Sequence, residues 1–122
     1  MKNVLLTSVA LIALTSCAPT KILKSPSAFN LVAQITYADN ISSKVVFEGD
    51  RYKMLVFALK KDQILKPHAA PMDAPLYMLE GTAVTTIGTL THTLVAGDMI
   101  LLPKDILHDV TPLTDCKFSL IK

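Results

Sequence analysis

The sequence predicts an all-β domain folded as a sandwich or barrel. Three observations carry this expectation. From Ser43 onward, short apolar and β-branched runs recur at about 8–12-residue spacing with turn residues between them. All four glycines, Gly49, Gly81, Gly88 and Gly97, fall between those runs, where each is free to take a left-handed turn conformation. No segment past the N-terminal stretch joins a 3.6-residue periodicity to helix length and caps.

Taken in order, Lys44–Glu48 is the first strand and Gly49-Asp50 its turn. Tyr52–Leu59 is a second, rich in aromatic and aliphatic residues. Gln63–Lys66 is a short third, stopped by Pro67, which cannot donate to a ladder. Leu76–Leu79 leads into Glu80-Gly81, and Thr82–Ile87 ends at Gly88. Thr91–Val95 ends at Ala96-Gly97-Asp98, and Met99–Leu102 is an apolar strand closed by Pro103. His108–Thr111 and Lys117–Ile121 complete the set. Antiparallel strands with tight turns avoid exposed edges by closing into a barrel or jelly roll.

Ahead of these strands the chain changes character. Residues 1–16 pair a positive Lys2 with an apolar Val4–Leu14 stretch. That stretch is too short to span a bilayer, which takes roughly 17–25 apolar residues, and has the size of a signal-peptide core. Leu14-Thr15-Ser16-Cys17 resembles the bacterial lipobox, a Leu followed by two small residues and the Cys that is acylated. The resemblance implies cleavage before Cys17 and a multiply acylated, stably anchored Cys17 carrying chains such as palmitate. Ala18 follows in place of the Asp that signals inner-membrane retention, so an outer-membrane protein facing the periplasm is expected if the source is Gram-negative. Residues 17–28 read as the lipidated Cys and a Pro- and Ser-containing tether, and residues 29–122 as the barrel domain. Phe29–Tyr37 is apolar enough to pack as an arm or edge strand, or to support a homodimer.

Composition excludes other classes. Apolar residues make up 51% of 122 and charged residues 18%, too apolar for a disordered chain. Part of the mean hydropathy of +0.44 belongs to the signal stretch. A net charge of +2 with no basic block, no Trp and 6% aromatics argues against nucleic-acid binding. Two cysteines cannot staple a disulfide scaffold, and with Cys17 acylated Cys116 is a lone thiol within a strand. Lys117 beside it would lower its pKa somewhat, but no base stands near it in sequence.

Two stretches resemble the motifs of the cupin superfamily. Pro67-His68-Ala69-Ala70-Pro71-Met72-Asp73-Ala74-Pro75-Leu76-Tyr77-Met78-Leu79-Glu80-Gly81 is similar to the first cupin motif. Gly97-Asp98-Met99-Ile100-Leu101-Leu102-Pro103-Lys104-Asp105-Ile106-Leu107-His108 is similar to the second. The resemblance covers roughly residues 41–122 and implies a double-stranded β-helix barrel of the RmlC-like jelly-roll type. It also implies that His68 and His108 face each other across the barrel interior as metal or ligand contacts. Two positions that carry metal ligands in metal-binding cupins are Ala70 and Ala74 here, and neither can donate. Asp73 and Met72 are auxiliary candidates, Asp73 if a bulge re-aims it and Met72 as a soft thioether. Glu80 is expected away from the cavity, and the placement of His92 is open.

The expected function is therefore a membrane-anchored barrel that binds a small molecule without a complete metal-ligand set. The alternative is a weak metal-dependent enzyme of dioxygenase or isomerase type, in which His68 and His108 hold one divalent ion. The cofactor, the ligand and any catalytic residue stay unassigned.

Overall fold

The structure, a computed structural model, describes residues 27–122. The signal stretch, Cys17 and most of the tether lie outside the described residues. Among the described residues, nine strands form two antiparallel sheets: β1 Ser42–Glu48, β2 Lys53–Leu59, β3 Leu65–His68, β4 Ala74–Glu80, β5 Thr82–Ile87, β6 Leu90–Val95, β7 Met99–Leu102, β8 His108–Pro112 and β9 Cys116–Ile121. One sheet runs β1-β2-β9-β4-β7 and the other β3-β8-β5-β6. Eight strands fall where the sequence expects them, within a residue or two at each end.

The exception is β3, which does not stop at Pro67 but continues through it to His68. Pro67 is tolerated because β3 is an edge strand, where a missing N–H costs no ladder bond.

The core follows from alternation. In β4 the buried positions are Ala74, Leu76 and Met78, every second residue. They meet Leu59, Ala83, Leu94, Leu102, Val110, Cys116 and Phe118 between the sheets. Phe118 pairs in register with Phe57, and their rings stack at 5.0 Å between centroids. Truncating a fully buried Phe such as Phe118 to Ala costs about 3–5 kcal/mol.

Strands β2 and β9 break the alternation because both of their faces are covered. Phe29–Tyr37 forms no strand; it is an arm with a single 3-10 turn at Val32–Gln34. Its Ile35 packs on the outward-facing Val56 and Ala58, with Leu31 and Tyr37 beside it. Lys117 latches the arm: its Nζ donates to the Val32 carbonyl at 2.9 Å and lies 3.8 Å from Glu80 and 5.1 Å from the Tyr37 ring centroid. Tyr37 Oη donates to Glu80 at 2.6 Å, and burial, then that carboxylate, raises the phenol's pKa above its ordinary value.

Three of the four glycines have positive φ: Gly81, Gly88 and Gly97. Gly81 is the constrained one, since a Cβ there would overlap the Asp115 carbonyl oxygen.

Candidate functional site

The site begins with a register defect. Leu65 pairs with Val110, but the next pair is His68 with His108, so three steps on β3 oppose two on β8. Simple alternation would point Leu65 and His68 to opposite faces. The extra residue is a β-bulge at Lys66-Pro67, and it returns His68 to the face of His108. The two histidines are thus neighbours on adjacent strands rather than partners across the barrel. Their ring centroids are 4.4 Å apart with planes at 66°.

Backbone contacts orient both rings. His68 Nδ1 lies 2.8 Å from the Lys66 carbonyl, and His108 Nδ1 lies 3.2 Å from the Ile106 carbonyl. A carbonyl only accepts, so each Nδ1 carries a proton, and in a neutral ring that leaves Nε2 as the acceptor. His108 is buried, while His68 is exposed at the mouth. Burial lowers the His108 pKa below the ordinary value of 6.5; the Ile106 carbonyl opposes this and His68 adds to it. His108 is therefore neutral at pH 7.

Both histidines line a cavity of about 600 Å³, within the range of small-molecule sites of roughly 300–1,000 Å³. Ala74, Leu102 and Leu120 form an apolar wall. The β3–β4 loop contributes Ala69, Ala70, Pro71 and Met72. The remaining lining comes from the β1–β2 turn and the end of the chain: Glu48, Gly49, Arg51, Tyr52, Lys53 and Lys122. No motif or spacing in the sequence points to this last group. Lys53 and Lys122 meet only because β2 pairs with β9, with backbone bonds of 2.7 and 3.0 Å between them. Tyr52 is backed by Phe47, ring centroids 5.2 Å apart.

The remaining candidates are placed as follows. Met72 lines the cavity. Asp73 does not; its Oδ1 accepts from the Lys104 backbone N–H at 2.8 Å, which commits it to joining two loops. Glu80 is engaged by Tyr37 and Lys117, away from the cavity. His92 sits on β6 opposite Thr85 and does not line the cavity. Cys116 is fully buried, and burial pushes its thiol up to about 11, the reverse of activation by Lys117.

The donor set can be tested against a metal. Two imidazoles, each oriented by a backbone carbonyl at Nδ1, are the kind of ligands a divalent ion uses. A third is what a catalytic site needs. Ala70 and Ala74 both line the cavity but cannot ligate. Among the described residues no cluster of three or more His, Cys, Asp or Glu is placed to hold an ion. Among the described residues the cavity therefore offers two imidazoles, with Met72 as the one soft donor beside them, and neither the second His nor the Glu of the resembled motif.

No protein-family model and no curated protein matches the chain. Solved structures do. A conserved protein of unknown function from Streptococcus pyogenes aligns with TM-score 0.72 at 24% identity, covering 81% of this chain and 88% of that one. A cupin 2 conserved barrel domain protein from Leptotrichia buccalis aligns with TM-score 0.71 at 28% identity, over 76% of this chain and 46% of that one, so this chain spans about half of it. A cupin superfamily protein from Desulfitobacterium hafniense gives TM-score 0.74 at 19% identity, over 80% and 91% of the two chains. Strand order, paired sheets and these likenesses agree: the described domain is a double-stranded β-helix barrel of the cupin fold.

Proposed function

We propose that this barrel is a binding module that takes a small molecule in the cavity above His108 and is held at a bacterial membrane by an acylated Cys17. The observation that carries the binding reading is the cavity itself, about 600 Å³, with a buried neutral His108, an exposed His68 and an apolar wall. Such a site offers shape, apolar contact and a few oriented polar atoms, which is what small-molecule recognition uses. The replacement of two ligand positions by Ala70 and Ala74 supports binding over metal-dependent turnover. The anchor rests on the Leu14-Thr15-Ser16-Cys17 pattern behind an apolar stretch, and export of that kind puts the cavity outside the cytoplasm.

Two experiments test the two halves. The imidazole Cε1–H resonances of His68 and His108 are followed while small molecules are added to the purified full chain. Saturable shifts that disappear when the cavity is filled by Ala74→Phe support the cavity as the site; shifts that persist in that variant contradict it. Labelled palmitate should enter the wild-type chain and not Cys17→Ser; incorporation that survives the substitution contradicts the anchor.

A further inference from the structure

The cavity carries a charge asymmetry that the binding reading alone does not use. The cationic side chains of Arg51, Lys53 and Lys122 line it, and Glu48 is the one acidic side chain among the lining residues. The ion pairs among the described residues are Lys60–Asp39 and Lys117–Glu80, so none of these four side chains is engaged in one. Unpaired cations at the rim of a concave, partly apolar site concentrate field lines and favour an anion. Arg51 adds a planar fork suited to a carboxylate.

The histidine wall sets a second requirement. With its Nδ1–H donated to the Ile106 carbonyl, the neutral, buried His108 presents a lone pair at Nε2, and the His68 ring stands beside it. A carboxylate placed against His108 would set acceptor against acceptor. The group that meets the histidines must donate a hydrogen bond. The wall of Ala74, Leu102 and Leu120 lies in the same cavity and suits a hydrocarbon body.

Resting on the binding reading above, we infer that the cavity takes a small hydroxycarboxylate, with its carboxylate at Arg51 and Lys53, its hydroxyl donating to the His68–His108 pair and its apolar body on the Ala74–Leu102–Leu120 wall. A cationic ligand would meet three cationic side chains. A simple carboxylate would leave the His108 Nε2 acceptor without a donor, which costs affinity wherever water is displaced.

The test uses matched probes: mandelate and 3-hydroxybutyrate, their deoxy partners phenylacetate and butyrate, and their amides. Each is titrated against the purified full chain with the His68 and His108 ring resonances as the readout. The hydroxycarboxylates are expected to bind at least about tenfold tighter than either partner set. Arg51→Gln combined with Lys53→Gln is expected to weaken them about tenfold and to flatten their salt dependence, with the shifts of the amides unchanged. Equal binding of amide and acid, or of deoxy and hydroxy partners, overturns the ligand class and leaves the binding reading standing. No response to any probe, nor to a panel of neutral alcohols and amines, overturns both.

Discussion

His68 and His108 stand directly opposite each other in the β3–β8 ladder, one exposed and one buried, with ring centroids 4.4 Å apart. The relationship depends on one surplus residue at Lys66-Pro67, which turns His68 toward its partner. Both rings spend their Nδ1 protons on backbone carbonyls, and the neutral, buried His108 offers Nε2 as an acceptor to whatever enters the cavity.

Protonating His108 should destabilise the fold. Its pKa is lowered by burial and by the neighbouring His68, with the Ile106 carbonyl and Asp109 opposing. The unfolded chain then binds more protons than the folded one below the ordinary histidine pKa, so stability falls as pH drops under about 6.5. Denaturant midpoints measured from pH 8 to pH 5 should decline in wild type, and the decline should be smaller in His108→Asn. Equal slopes for the two proteins would contradict the account.

Restoring the missing donors should create metal affinity. Ala70 and Ala74 both line the cavity with the histidines. Ala70→His with Ala74→Glu supplies the absent imidazole and carboxylate. Calorimetry with zinc or nickel should show binding at least about tenfold tighter than wild type, because the two new side chains complete a four-ligand set. Unchanged affinity in a folded double variant would show that these positions do not converge with His68 and His108.

Cutting the Lys117 latch should free the arm without opening the barrel. Lys117→Met removes the bond to the Val32 carbonyl and the contacts to Glu80 and Tyr37. A loss of about 1–3 kcal/mol is expected from one buried charged hydrogen bond. Hydrogen exchange should rise at residues 31–37 and stay slow in β4 and β9. Uniform acceleration across all strands would contradict a local latch.

Cys116 should be chemically silent in the native state. It is fully buried, and its thiol is pushed up to about 11. A thiol reagent at pH 8 should label it only after unfolding, with the labelling and denaturation midpoints coinciding. Fast labelling of the folded chain would refute its placement as a core residue of β9.

Much of the fold is legible in the sequence because the strands are short and punctuated. Thr82–Ile87 and Met99–Leu102 are bounded by Gly81, Gly88 and Pro103, and the structure keeps the same limits. Pro67 misleads, because a proline ends a central strand but not an edge strand, and edge status is a tertiary fact. The arm at Phe29–Tyr37 reads as apolar without showing what it covers; only Val56 and Ala58 on the outer face of β2 explain it. His68 and His108 are visible from motif spacing, whereas their side-by-side arrangement comes from a bulge that spacing does not encode. The rim of Arg51, Lys53 and Lys122 is invisible, since its members are joined by strand pairing between distant parts of the chain.

The central claim is a cavity that binds a small molecule without a catalytic metal. Metal content of the purified full chain, after incubation with iron, zinc, copper and nickel and removal of free ions, tests it most directly. Well under one ion per chain is expected, with no further loss in His68→Ala or His108→Ala. One tightly held ion per chain, abolished by both substitutions, would contradict the claim.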